Sequence, residues 1–176
     1  MEEALIKRVL PHSPEAEQSV IGSMLMDREA IMAASEIIDS ADFYQHQYGI
    51  LFETMLELYN EGTPVDLITL QDRLREKDVP PEISSLEFAK DLLSSVYTST
   101  NVRQYAQIVY EKSILRKLIK ESEETANICY LGKERVDDIM EDTEKRIFSL
   151  LQKRNTGDFV PIKDVVLNAL DKIELA

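Results

Sequence analysis

The chain has no tryptophan, a single cysteine and only five glycines in 176 residues. Each scarcity excludes something. The lone Cys129 cannot form an internal disulfide, so a reducing, cytoplasmic setting is the expectation. With five glycines and six prolines the chain has few breaks for its length, which disfavours many short strands and favours long helices. Nowhere do about 18 apolar residues follow one another, and the opening MEEALIKRVL lacks the long apolar run of a signal peptide. Neither a membrane span nor secretion is therefore expected. No G-x-x-x-x-G-K-[ST] string is present to cradle a nucleotide's phosphates. The histidines His12 and His46 stand apart without cysteine companions, whereas a structural zinc site needs four ligands. Surface or capping roles suit them better. Glu123-Glu124 and Asp137-Asp138 read as solvated helical faces and not as acid–base pairs. No catalytic residue, metal ligand or cofactor-binding residue is expected in these 176 residues.

Basic residues are also scarce. Lysine and arginine total 20 against 33 aspartates and glutamates, a formal net charge of −13 that repels a phosphate backbone. Lys117 and Lys120 sit beside Glu121, Glu123 and Glu124. No independent tight nucleic-acid binding is expected; an acidic surface suits a protein partner with complementary basic charge.

What the sequence does contain is amphipathic helices with clear starts. In PHSPEAEQSVIGSML, Ser13 is a favourable N-cap, Pro14 takes the first helical position, and Glu15 and Glu17 place negative charge near the positive end of the helix dipole. Ala16, Val20, Ile21, Met24 and Leu25 follow at helical spacing. Asp27 caps a second helix with Ala30, Ile31, Ala34, Ile37 and Ile38 on one face. A third spans His46 to Asn60 through Tyr48, Leu51, Phe52, Met55 and Tyr59, and Gly62 closes it. Asp66 caps a fourth carrying Leu67, Leu70 and Leu74, and a fifth runs from Leu86 to about Val96.

From Ser99 or Thr100 the pattern lengthens. Tyr105, Val109, Lys112, Leu115, Ile119, Ser122, Ala126 and Cys129 recur every three or four residues, which makes Cys129 a small buried hydrophobe. Leu131-Gly132 ends that helix, and Val136, Met140, Thr143, Ile147 and Leu150 line the return. The two predict an αα-hairpin with a coiled-coil-like seam. Ile108, Leu118 and Phe148 are left as surplus apolar edge, expected to pack on another subunit. Gln152 to Asp158 reads as a polar linker. Beyond it Ile162, Val165, Val166, Ala169 and Ile173 stripe a last helix, which needs a groove to dock into. The expected fold is all-α: a globular helical unit over residues 1–100, a hairpin over 101–154, and a linker with its helix over 155–176.

Several of these segments resemble, in order, the N-terminal domain of bacterial DnaB-type replicative helicases. The string PHSPEAEQS opens the resemblance. Asp42-Phe43-Tyr44 resembles the family's DFY, and Pro64 to Leu70 its P-[IV]-D-L-[IV]-T-[LV]. The run from Asn101 to Arg116 is similar to N-V-x-x-Y-A-x-I-V-x-E-K-[AS]-x-L-R. These blocks span residues 11 to about 120. One departure is visible: Ser84-Ser85 stand where the family carries Gly-Gly, and Ser84 with Glu87 would form a capping box there.

The resemblance implies a collar domain and linker helix of a hexameric helicase, assembled as a trimer of dimers. Its ATP and magnesium belong to a RecA-like ATPase domain outside this chain. It also implies docking of the C-terminal domain of primase, for which Glu15, Phe88 and Ile119 are the expected contacts, and a helicase loader as a further partner. The last helix would dock on the ATPase domain of a neighbouring subunit. Two other readings are the helicase-binding domain of primase itself and a stand-alone helical dimerisation module.

Overall fold

The computed structural model describes residues 9–77, 79–80, 83, 85, 88, 90–92 and 99–155. Among these the chain is helical, with no strand, as the scarcity of glycine and proline predicts. Contacts divide it into two units, Met1–Lys120 and Glu121–Ala176.

In the first unit local signals decide most helix ends, although α2 stops at Ser35, so that Ile37 and Ile38 follow the helix and do not lie on it as expected. α1 (Pro14–Met26) starts at Ser13, whose hydroxyl oxygen accepts from the Ala16 N–H at 3.3 Å. It stops at Asp27, which in turn caps α2 (Arg28–Ser35) by accepting from the Glu29 N–H at 2.9 Å. A 3-10 turn (Ser40–Asp42) is closed by reciprocal bonds between Asp39 and Asp42. α3 (His46–Asn60) ends in a Schellman close: Thr63 N–H donates to Leu58 and Gly62 N–H to Tyr59, with Gly62 at φ +75°. α4 (Leu67–Glu76) is capped by Asp66, which accepts from Ile68 and Thr69 N–H, while the Thr69 hydroxyl accepts from the Asp66 N–H.

These helices share one core. Val20, Ile21 and Met24 of α1 are buried with Ile31 of α2, with Leu51, Phe52, Met55 and Leu58 of α3, and with Leu70 and Leu74 of α4. The long helix α5 (Val102–Leu131) adds Val102, Ala106 and Val109 from its first turns. Each large apolar side chain so buried stabilises the unit by about 1.5–3 kcal/mol. α3 approaches the 3-10 turn so closely that a Cβ on Gly49 would lie 2.5 Å from the Ser40 carbonyl oxygen. Phe88, Lys90, Asp91 and Leu92 are helical, but the rest of the expected fifth helix lies outside the described residues, as do Ser84 and Glu87. One residue on from Ser84, the Ser85 hydroxyl accepts from the Phe88 N–H at 3.2 Å.

The second unit contains the end of α5, a turn with Gly132 at φ +58°, and α6 (Val136–Asn155). Helix persists to Asn155, so Gln152–Asn155 are not linker as expected. The seam is also offset from the expected one. Ser122, Ala126 and Cys129 are exposed, as are Val136 and Met140. Glu121, Thr125 and Ile128 of α5 are half-buried instead; on α6 the expected Thr143, Ile147 and Leu150 are half-buried, and Ile139 and Arg146 join them. Arg146 joins the two helices: its Nε is 3.3 Å from Glu121 Oε2, and its Nη2 donates to Thr125 Oγ1 at 3.2 Å. A partly polar seam explains the offset, because an arginine stem covers apolar surface without entering a hydrophobic pattern. The polar linker after Asn155 and the last helix, with Ile162, Val165, Val166, Ala169 and Ile173, lie outside the described residues.

Candidate functional site

Three of the sequence blocks singled out above meet at one polar cluster in the first unit. The 3-10 turn brings Asp42 inward, where it is buried. Its Oδ1 accepts from Ser113 Oγ and from Lys117 Nζ, both at 2.6 Å, and its Oδ2 from the Asp39 N–H at 3.0 Å. Ser113 and Lys117 lie four residues apart on α5, one turn of one face. Between them on the chain, Arg116 donates from Nη1 to the Pro11 carbonyl at 2.7 Å and from Nη2 to the Asp42 carbonyl. Its guanidinium also lies 5.7 Å from the centre of the Tyr44 ring. The other side of that contact network is His12, stacked on Tyr44 with ring centres 4.2 Å apart.

Glu17 completes the cluster. It is a carboxylate only 1% exposed, on the first turn of α1, and it reaches the segment before α3. Its Oε1 accepts from the Tyr44 N–H at 2.9 Å and its Oε2 from the Gln45 N–H at 3.1 Å. Gln45 opens α3 without any side-chain cap, so Glu17 supplies from another helix the negative charge that the α3 start lacks.

The electrostatics follow from these bonds. Burial pushes the Asp42 carboxyl up, but hydrogen bonds from Lys117 and Ser113 outweigh it and hold the group below its usual value. Burial lowers the Arg116 guanidinium, against the charges of Glu17 and Asp42. Burial, with Glu17 adding its charge, pushes the Tyr48 phenol up. Every oxygen of the Asp42 and Glu17 carboxylates accepts at least one hydrogen bond from the fold, and both carboxylates are buried. The cluster is a clasp that joins the segment before α1, the 3-10 turn and the middle of α5. Asp42, Ser113, Arg116 and Lys117 are not among the site residues expected from the sequence, although all but Lys117 lie inside the motif blocks. The available signal was charge inside otherwise apolar motifs.

The residues expected to bind partners fall in different surroundings. Glu15 is exposed on the first turn of α1. Phe88 is half-buried, its ring stacked on Tyr48 with centres 6.2 Å apart. Ile119 is half-buried on α5. Among the described residues no hydrogen bond, ion pair or ring contact joins any two of these three. Of the residues expected at a subunit contact, Ile108 packs against the core of the first unit, Leu118 is half-buried, and Phe148 is 58% exposed on α6. The second unit exposes more apolar surface than expected: Tyr130 is 90% exposed, Val136 71% and Met140 68%. His12 and His46 sit in unlike places, the first stacked on Tyr44 and the second exposed at the start of α3. Among the described residues no three His, Cys, Asp or Glu side chains are grouped to hold a metal, and no helix is long and apolar enough to cross a membrane.

The chain is similar to several known proteins. The replicative DNA helicase DnaC of Bacillus subtilis is 37% identical over 174 residues, which cover 99% of this chain but 38% of the relative. The chain thus spans well under half the length of that protein. The crystal structure of the N-terminal domain of DnaB helicase from Mycobacterium tuberculosis is similar at a TM-score of 0.75 and 30% identity, covering 80% of this chain and 99% of that one. The N-terminal domain of DnaB helicase from Helicobacter pylori, described with its interactions with primase, shares the fold at a TM-score of 0.58 and 19% identity, over 66% of this chain and 90% of that one. The family described as "DnaB-like helicase N terminal domain" matches residues 9–111, which include the clasp residues Asp42, Tyr44 and Glu17, and the chain belongs to that family.

Proposed function

We propose that this chain is the N-terminal collar of a replicative hexameric DNA helicase, joining subunits to one another and receiving primase. The observation that carries the reading is the apolar surface of the second unit, where Phe148, Met140, Val136 and Tyr130 stand in water on two thin helices. Side chains of this size left exposed together favour a protein partner. Support also comes from the helicase relatives, which favour this reading over that of a primase's helicase-binding domain. In the full-length protein an ATPase domain would bind ATP and magnesium and drive unwinding of the duplex in the cytoplasm. Residues Ile162, Val165, Val166, Ala169 and Ile173 would dock on that domain of a neighbouring subunit, and a loader would assist assembly.

Subunit association is assigned to Phe148 and Leu118, with Ile108 in support from the core side. Primase binding is assigned to a surface that includes Glu15, Phe88 and Ile119. Calorimetry with the C-terminal domain of the cognate primase tests the second assignment. Phe88→Ala is expected to weaken binding at least about tenfold, as for an aromatic anchor, while circular dichroism stays unchanged. Equal affinity of the folded variant would return Phe88 to a packing role against Tyr48.

A further inference from the structure

Between α2 and the start of α5 the first unit carries a notch of about 180 Å³. Its floor is apolar, made of the buried Ala30 and Val102 with the half-buried Ala33. Its rim is acidic, with Asp27 and Glu29. Arg103 reaches the same rim, but its guanidinium is held by Glu36 at 2.6 Å and does not neutralise Glu29. Asp27 is engaged as well: Oδ1 caps α2, and Oδ2 accepts from the Ser99 hydroxyl at 3.2 Å. The exposed Glu29 carboxylate is left without an ion pair or hydrogen bond among the described residues.

The volume decides what can enter. Pockets that enclose a whole small ligand run to roughly 300–1,000 Å³, so this notch has room for one side chain. An apolar floor under a free carboxylate suits a long basic side chain, whose methylene stem covers apolar surface while its head stays wet. The net charge of −13 disfavours a second copy of this chain as the occupant and favours a basic partner face. We propose that the notch receives a lysine from a partner protein with a basic face, its stem on Ala30, Ala33 and Val102 and its ammonium opposite Glu29.

The test uses the 176-residue chain with ¹³C-labelled alanine methyls, titrated with n-butylammonium as the lysine side chain and n-butanol as its neutral counterpart. Saturable shifts at the Ala30 and Ala33 methyls are expected with n-butylammonium. They should weaken about two- to fivefold in Glu29→Gln, the worth of one exposed ion pair. Ala33→Leu fills the notch and should abolish the shift at Ala30. Equal binding of n-butanol, unmoved methyls, or an undiminished affinity of Glu29→Gln would overturn the proposal. So would shifts that grow with protein concentration alone, which would make a second copy the occupant. Glu29 is exposed and its side chain has no hydrogen bond or ion pair to lose among the described residues, so Glu29→Gln decides the matter even if Ala33→Leu fails to fold.

Discussion

Lys117 donates to Asp42 at 2.6 Å across 75 positions of chain, the ion pair among the bonds that tie the middle of α5 to the 3-10 turn. The aspartate is buried and the lysine partly exposed, so the pair is asymmetric: the carboxylate depends on its donors more than the ammonium depends on the carboxylate.

The pair sets a pH dependence. Because the Asp42 carboxyl is held below its usual value of 3.8 in the folded chain, its contribution is complete above that value. It is lost as pH falls through the lower folded value, since the unfolded chain takes up the proton first. Asp42→Ala is expected to cost about 3–5 kcal/mol, as for a broken buried pair, and to flatten the acid limb of stability. Urea unfolding from neutral pH down to about pH 3, around this reference range, checks both. An unchanged acid limb in the variant would remove Asp42 from this role.

Glu17→Ala leaves the N–H groups of Tyr44 and Gln45 without their acceptor. A hydrogen bond to a charged acceptor is worth about 1.5–3 kcal/mol, and two are lost, so the variant should unfold at markedly lower urea with an unchanged slope. Glu15→Ala, two residues away and exposed, should shift the midpoint little. Similar midpoints for the two variants would contradict the burial assigned to Glu17.

Gly49→Ala reverses an ordinary rule. In an open helix the change stabilises by about 1 kcal/mol through propensity. Here the new Cβ would meet the Ser40 carbonyl oxygen at 2.5 Å, backbone that cannot swing aside. A net loss of about 1–3 kcal/mol is expected, in the range of overpacked sites. Thermal unfolding gives the sign, and a higher midpoint would mean that the 3-10 turn yields.

The exposed side chains of α6 predict self-association. Burying a large apolar side chain is worth about 1.5–3 kcal/mol, so Met140→Glu with Phe148→Glu should weaken any dimer at least about tenfold. Both positions are exposed, so the fold should survive. Sedimentation of the two proteins at matched concentrations separates them. A strictly monomeric parent chain at high micromolar concentration would sink the association reading.

The sequence by itself determined most helix ends and buried faces among the first four helices, although α2 stops at Ser35, short of the expected Ile37 and Ile38, and α3 begins without a side-chain cap of its own. Ser13, Asp27, Asp66 and Gly62 act on groups within five positions, and a cap or a Schellman close needs no distant partner. The 3.6-residue period likewise placed Val20, Ile21, Leu51, Phe52 and Leu70 inside. Tertiary structure alone decided the rest. Glu17 near a helix start satisfies the dipole whether solvated or buried, and only the arrival of Tyr44 and Gln45, 27 and 28 residues on, made it a buried cap. Asp42 became an anchor because α5 brought Ser113 and Lys117 to it. The hairpin seam shifted because Glu121, Thr125 and Arg146 pack through charge, hydrogen bonds and aliphatic stem, none of which an apolar pattern records. Local bonds are written in neighbouring letters; contacts across the fold depend on which surfaces finally meet.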